Sequence, residues 1–226
     1  MSAPDRYISD LMFSDEKPPE IAAFQSKLSE APFAEDGFAC CVFRITGETD
    51  PDLVEKAGTV LETFFTEQEP GFWKKLDERV FAAALVGYSD RDEGRGKIEC
   101  LRQSLCDALG TTVYAGACFY PFRDYPADDI PDSALKALDH AGFFSGQEVT
   151  WFDAVSLNVC ADRLFQRNRV EDALSEYKKG LEIDPDNINL INSLGVCYGI
   201  MGRLESAKAE FEKINVIDPE EVMAIY

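Results

Sequence analysis

Histidine is nearly absent from this chain of 226 residues, and the one histidine, His140, has no metal-ligand pattern around it. The seven cysteines form no C-x-x-C pair, which argues against zinc, and one histidine excludes a multi-histidine centre within the chain. Cys40 and Cys41 stand in an apolar run, where a reduced cysteine behaves as a small core residue. We therefore expect neither a metal nor another cofactor.

The sequence also lacks a signal peptide and an apolar run long enough to cross a membrane. An odd number of cysteines, without the spacing of a disulfide framework, is typical of a reducing compartment. These absences predict a cytoplasmic protein.

Positive charge is scarce, because 22 Lys and Arg stand against 42 Asp and Glu, and the formal net charge is −20. Phosphate backbones and anionic membrane surfaces repel such a chain, so we expect neither nucleic acid nor membranes among its partners. The acidity serves solubility or provides an acidic docking surface, and composition leaves both readings open. A hydrophobic fraction of 46% with 16 Phe supplies a folded core.

Two stretches near the C-terminus repeat each other at a spacing of 34 residues. The clearer one contains Leu194-Gly195-x-x-Tyr198, Gly202, Ala207-x-x-x-Phe211 and Asp218-Pro219. The earlier one contains Cys160-Ala161-x-x-Leu164, Asn168, Ala173-x-x-x-Tyr177 and Asp184-Pro185. Each stretch is therefore predicted to form two amphipathic helices, with the repeated residues at the same helical positions in both stretches.

Each repeated position has a physical reason. Small residues such as Ala161 and Gly195 let antiparallel helices approach closely, and Asn168 and Gly202 suit the left-handed turn that ends a first helix. The residue before a proline avoids the helical region, so each Asp-Pro pair ends a second helix.

These features resemble the tetratricopeptide repeat (TPR) family over residues 154–226. The resemblance implies all-α helical hairpins, one at residues 154–187 and one at 188–221, with a third beginning at Val222. It further implies that a protein or peptide segment binds in a groove lined by the first helix of each hairpin. The groove residues, called the groove face below, are then Val155, Asn158, Asp162, Phe165 and Gln166 of the first hairpin and Asn189, Asn192, Val196 and Ile200 of the second.

Asn158 and Asn192 occupy matching places one repeat apart. Their amides offer both a donor and an acceptor to a ligand backbone, although a merely polar surface would place asparagines there too. Some family members clamp a terminal carboxylate with lysines and arginines, which this groove face lacks. A mixed apolar and polar segment is the ligand that we expect.

Before the repeats, apolar patterns alternate between strand-like and helix-like periods. They predict a strand at 38–45, a helix at 52–67, strands at 72–76 and 80–88, a helix at 96–109 and a strand at 111–122. This β-α-β-β-α-β order predicts a ferredoxin-like α+β sandwich. A helix over 131–141 and a short strand at 149–152 follow, and Pro18-Pro19 opens an earlier helix. We expect Trp151 and Phe152 to be buried.

The strand from Val113 to Pro121, with Gly116 at its centre, and the helix from Ala134 to Ala141 carry a second resemblance. They are similar to a late strand and an Ala-Asp-x-Ala-Leu-Tyr-x-Ala-Lys helix of GGDEF domains, the nucleotide-cyclase-like fold of diguanylate cyclases. The resemblance covers residues 18–153 and leaves 1–17 as a flexible N-terminus.

The departures from that family concern the residues that carry its activity. Active members hold metal with a first-strand aspartate and a Gly-Gly-Asp-Glu-Phe hairpin, whereas the strand here reads Cys41-Val42-Phe43-Arg44-Ile45 and the hairpin has no glycine. Asp77-Glu78 is either a remnant of a metal site or, as we prefer, a charged turn. Asp90 to Gly96 is interpreted as a solvated connection, since it lacks the distal glutamate of a calcium loop. We therefore expect no catalysis.

The sequence thus predicts a non-catalytic adaptor or scaffold for protein–protein interaction in bacterial signalling, built from a degenerate GGDEF-like domain and TPR hairpins. The alternative is a nucleotide or cyclic-dinucleotide receptor in the front domain. A dinucleotide site in that family is typically Arg-x-x-Asp before the hairpin, and residues 68–75 contain no arginine.

Overall fold

The computed structural model describes residues 11–13, 18–30, 33–47, 50–88, 91–142 and 149–219. The chain divides into two compact units, residues 1–152 and 153–226. Most of the predicted flexible N-terminus and the predicted start of a third repeat at Val222 lie outside the described residues.

The described part of the first unit contains a sheet with helices between its strands. The strands are β1 (Phe38–Ile45), β2 (Gly71–Asp77), β3 (Val80–Val86), β4 (Val113–Tyr120) and β5 (Val149–Trp151). The numbered α-helices are α1 (Pro19–Leu28), α2 (Phe33–Asp36), α3 (Pro51–Thr63), α4 (Arg91–Leu109) and α5 (Ile130–Ala141). A π-helix (Phe64–Gln68) follows α3 and a 3-10 helix (Ala127–Asp129) precedes α5. The predicted succession of strands and helices is confirmed here, apart from the short helix α2, which was not predicted.

The strands lie in the order β2-β3-β1-β4-β5 and form one mixed sheet. Neighbours are antiparallel, except that β5 runs parallel to β4. All eight residues of β1 are buried, as its continuous apolar run requires of a strand covered on both faces. Because side chains alternate along a strand, Ala39, Cys41 and Phe43 share one face and join the core cluster that includes Leu61 of α3 and Leu101 of α4.

Helix α4 begins earlier than the sequence pattern predicts. It starts at Arg91, so the segment that we interpreted as a solvated connection forms its first turns after the undescribed residues 89–90. Gly94 is buried there, and a Cβ on it would lie 2.8 Å from Cε1 of Phe119. Glycine is a poor helix former, and this close contact with β4 explains why it occurs in the helix.

The aromatic residues that end the first unit are covered to different degrees. The ring of Trp151 stacks on Phe119 with centroids 4.6 Å apart, and Trp151 is half-buried. Phe152 is buried, as predicted, and its ring meets Phe122 edge-on. The prediction of burial is therefore confirmed for Phe152 and only partly met by Trp151.

Most of the cysteines behave as core residues. All seven are free thiols, and five are buried. Burial raises the pKa of Cys118 to about 12 and raises the pKa values of Cys40 and Cys41 as well, so these thiols stay protonated.

The described part of the second unit consists of helices α6 (Ala154–Gln166), α7 (Val170–Ile183), α8 (Ile188–Ile200) and α9 (Leu204–Ile217). Asp153 caps α6 by accepting a hydrogen bond from the backbone N–H of Ser156 at 2.8 Å. Asn187 caps α8 by accepting one from the N–H of Leu190 at 3.2 Å. Within the residues described, no helix of either unit is long and apolar enough to span a membrane.

The two hairpins repeat each other at the backbone level. Asn168 and Gly202 end α6 and α8 in the left-handed region, with φ of 62° and 72°, as predicted. The N–H of the residue after each donates to an equivalent carbonyl, that of Leu164 at 3.0 Å and that of Tyr198 at 2.8 Å. The 34-residue register therefore holds in the turn geometry as well as in the side chains.

Close helix contacts also occur at two glycines, of which the sequence analysis predicted Gly195 and not Gly180. A Cβ on Gly195 of α8 would lie 2.7 Å from the Phe211 ring of α9. A Cβ on Gly180 of α7 would lie 2.8 Å from Leu190 of α8. One glycine brings together the helices of a hairpin, and the other brings together successive hairpins.

Candidate functional site

The groove face forms two stripes, one on α6 and one on α8. On α6, Val155, Asn158, Asp162 and Phe165 are half-buried and Gln166 is exposed. These residues recur every three or four positions, so they lie on the side of α6 opposite its buried core residues. Each predicted residue of the first hairpin therefore occupies one helix face.

The stripe on α8 is more open to solvent and changes character along the helix. Asn189 is exposed and Asn192 is half-buried, so the first half presents amides. Val196 is 41% exposed and Ile200 is 61% exposed, so the second half presents apolar surface. The two apolar side chains are four residues apart and are neighbours on the helix surface.

Exposed apolar side chains are concentrated in the second hairpin. In the described part of the chain, the large apolar residues that are exposed are Val196, Ile200, Leu204, Val216 and Ile217, and all lie on α8 or α9. Leu204 follows Ile200 directly after the turn, and the sequence analysis did not place it at the site. Its repeat equivalent, Val170, is half-buried, so the repeat pattern does not identify this position as an exposed apolar one.

A hydrogen-bonded cluster connects the α6 stripe to the other helices. The hydroxyl of Tyr177 on α7 donates to Oδ1 of Asp162 at 2.6 Å, and Ser193 of α8 also hydrogen-bonds to that hydroxyl. Burial raises the pKa of Tyr177, and the hydrogen bond to Asp162 raises it further. Sequence reasoning missed Tyr177 and Ser193, because their role depends on contacts between helices.

Burial also raises the pKa of Asp162, while the hydrogen bond from Tyr177 acts in the opposite direction. The pKa of the neighbouring Cys197 thiol is raised to about 11 by burial and by the negative charge of Asp162. At neutral pH the tyrosine and the cysteine of this cluster therefore stay neutral, and Asp162 is its acidic member.

The amide of Asn158 has an unmet hydrogen-bonding group. Its Oδ1 atom is buried and has no hydrogen-bond donor among the described residues. A buried acceptor without a donor is unfavourable. Asn192, its repeat equivalent, lies on the corresponding face of α8.

The first unit offers weaker candidates. Asp77 is half-buried and Glu78 is exposed in the β2–β3 turn, where Arg79 donates a hydrogen bond to the carbonyl of Gly47. Across the described residues, no group of three or more His, Cys, Asp or Glu is placed to hold a metal ion. An acidic pair without a third described ligand is a poor site for a cation.

A shallow groove of about 430 Å³ also occurs in the first unit, along α3 and near the end of α4. It is lined by Asp52, Glu55, Lys56, Thr59, Val60 and Ala108. These are ordinary helix-surface residues, with no convergent set of reactive groups.

Comparison with known families agrees with the repeat assignment. The family model described as TPR repeat matches residues 161–207, which run from α6 into α9. No curated protein matches the chain. The match and the four helices support a tetratricopeptide repeat region, and repeats of this kind indicate protein–protein interaction.

Proposed function

We propose that this chain, whose C-terminal hairpins are tetratricopeptide repeats, is a non-catalytic adaptor that binds a segment of another protein on its groove face. The observation that carries the proposal is the exposure of Val196 and Ile200 beside the amides of Asn189 and Asn192. An apolar patch bordered by polar groups is typical of an interaction site. A partner segment with apolar anchors and free backbone N–H groups complements it.

The nature of the partner follows from charge and from the groove face. The formal charge of −20 opposes binding to nucleic acid or anionic membranes, so protein is the partner class that we infer. The groove face has no lysine or arginine, so a terminal carboxylate is a poor ligand for it. A cytoplasmic role in bacterial signalling is part of the same proposal.

For the first unit, we infer a ferredoxin-like sandwich related to GGDEF domains that has lost catalysis. The strand order β2-β3-β1-β4, with antiparallel neighbours and helices after β1 and β3, supports the sandwich. The central strand has Arg44 and no carboxylate, which supports the loss of metal-dependent chemistry. A nucleotide receptor in this unit is the alternative, and calorimetric titration with GTP and cyclic di-GMP tests it.

The test of the groove face uses a displayed library of random short peptides, panned against the whole chain. Enriched peptides are then labelled and titrated by fluorescence anisotropy against the wild type and the Val196→Ser/Ile200→Ser variant. We expect the double variant to bind roughly 10- to 100-fold more weakly, because both apolar contacts are lost. Val216→Ser is the matched control, since Val216 is 83% exposed on α9 and lies outside the groove face.

A second variant examines the amides. Asn158→Ala/Asn192→Ala removes both repeated side chains, and we expect weaker binding of the same peptides because their N–H groups lose acceptors. Enriched peptides that bind both double variants as tightly as the wild type would show that the groove face is not the site.

A further inference from the structure

The carboxyl group of Asp162 has no cationic partner in its described surroundings. It is half-buried on α6, and no lysine or arginine among the described residues forms an ion pair with it. Tyr177 donates to its Oδ1 atom, and no described donor contacts Oδ2. Partial burial of a carboxylate without a counter-ion is unfavourable, and a bound cation would relieve it.

The ionisable groups around the carboxylate do not supply that cation. Tyr177 approaches from α7 and Cys197 from α8, and neither carries a positive charge in any protonation state. Ser193 contacts the tyrosine hydroxyl, and its own hydroxyl does not ionise near neutral pH. The cluster fixes the position of the carboxylate and leaves its charge available at the groove face.

The second hairpin shows that the repeat geometry does not need this cluster. At the positions 34 residues later, Val196 replaces Asp162 and Phe211 replaces Tyr177. Both hairpins nevertheless have the same turn geometry. An apolar pair at these positions is therefore compatible with the hairpin geometry. Because that geometry does not require the polar pair of the first hairpin, the polar pair points to ligand recognition.

We propose that the partner segment carries a lysine or arginine that pairs with Asp162 while its apolar side chains cover Val196 and Ile200. This inference rests on the proposed function, because it names the chemistry of the segment that binds the groove face. Asp162 and Val196 occupy equivalent positions on α6 and α8, so one segment crossing both helices meets a negative and then an apolar position. The matching sequence feature of the partner is a basic residue near apolar residues.

The first readout is the composition of the enriched peptides from the library described above. The expected result is enrichment of a basic residue at a fixed distance from apolar ones. Enrichment of peptides without a basic residue, which still lose affinity for Val196→Ser/Ile200→Ser, would overturn this inference and leave the proposed function intact. Enriched peptides that are insensitive to the groove-face variants would contradict the proposed function itself.

The second readout is a double-substitution cycle between Asp162 and the peptide. One enriched peptide is made with its lysine and with norleucine, which keeps the aliphatic chain and removes the charge. We expect the wild type to bind the lysine form roughly tenfold more tightly, and Asp162→Asn to bind the two forms nearly equally. An unchanged preference in Asp162→Asn would show that the lysine pairs elsewhere.

The sequence of the second hairpin supplies a control for misfolding of the variants. Asp162→Val/Tyr177→Phe copies the pair that the second hairpin already has, so this variant is expected to fold if the single change does not. Circular dichroism of each variant is compared with that of the wild type before titration. A folded double variant that keeps the lysine preference would also overturn the inference.

Discussion

Gly116 of β4 lies directly against the backbone of Leu138 of α5, and a Cβ on Gly116 would be 2.1 Å from the Leu138 nitrogen. The carbonyl oxygen of Ala134 would be 2.2 Å from the same Cβ, so two turns of the helix rest on this glycine. No rotamer change relieves a clash with backbone atoms. The position of α5 on the sheet therefore depends on the missing side chain.

We expect Gly116→Ala to lower the free energy of unfolding of the first unit by roughly 2–4 kcal/mol, because α5 must move away from the sheet. Urea titration followed by tryptophan fluorescence measures it, since both tryptophans, Trp73 and Trp151, are in this unit. Gly96→Ala is the matched control. Gly96 is helical with open space around it, so alanine should stabilise by roughly 0.5–1 kcal/mol. A Gly116→Ala variant as stable as the wild type would contradict the close contact.

The pKa of Asp162 offers a prediction about the groove face in the free protein. Burial raises this pKa and the Tyr177 hydrogen bond opposes the rise, so Tyr177→Phe should raise the pKa further. Titration of the carboxyl carbon by nuclear magnetic resonance measures both values. Ser175→Ala, an exposed change on the same helix as Tyr177, is the control and should leave the pKa unchanged.

The raised pKa of Asp162 also determines how this residue changes the free energy of unfolding with pH. A carboxyl pKa that is higher in the folded than in the unfolded state means that the folded state binds protons more readily. Its cost to stability is present above the folded pKa and disappears as the pH falls towards the unfolded value. An Asp162 pKa at or below that of an exposed aspartate would contradict the inferred burial of its charge.

The sequence predicted the elements of both units well, because their apolar periods are strong and their boundaries carry proline and glycine signals. Asp50-Pro51 is followed by α3, and Asp184-Pro185 ends α7, as local propensity requires. The predicted start of α4 was wrong because Gly94 and Gly96 weaken helix propensity locally. The contact between Gly94 and Phe119 that compensates is tertiary, and a single sequence does not reveal it.

The groove face shows a similar division between local and tertiary information. Helical phase predicted which residues share a face, since that depends only on 3.6 residues per turn. It did not predict that Tyr177 donates to Asp162, because these residues are on different helices and helix packing decides the contact. The apolar exposure of Leu204 was missed for the same reason.

A three-residue cluster in the first unit predicts a response to acid. Glu69 accepts hydrogen bonds from Lys97 of α4 and from the hydroxyl of Tyr88. Burial acts to raise the pKa of Glu69, but these two hydrogen bonds lower it overall. A depressed folded pKa contributes stability that is present above the unfolded pKa and is lost as the pH falls through the folded pKa.

We therefore expect the first unit of the wild type to lose more unfolding free energy than Lys97→Met between about pH 7 and about pH 3. Urea titrations at several pH values, read by tryptophan fluorescence, measure the difference. Lys75→Met removes the same charge from an exposed position on β2 and should keep the wild-type pH dependence. If Lys97→Met and the wild type respond equally to acid, the cluster does not hold Glu69 in its charged form.

The turns after α6 and α8 give a prediction that separates backbone conformation from packing. Gly202 has a φ of 72° and no neighbour near the place of a Cβ, so Gly202→Ala costs only the strain of a left-handed alanine. We expect it to destabilise the second unit by roughly 1–2 kcal/mol. Gly199→Ala, three residues earlier in α8 and equally unobstructed, should instead stabilise by roughly 0.5–1 kcal/mol. Thermal unfolding followed by far-ultraviolet circular dichroism compares them, and two variants shifting in the same direction would refute the left-handed turn.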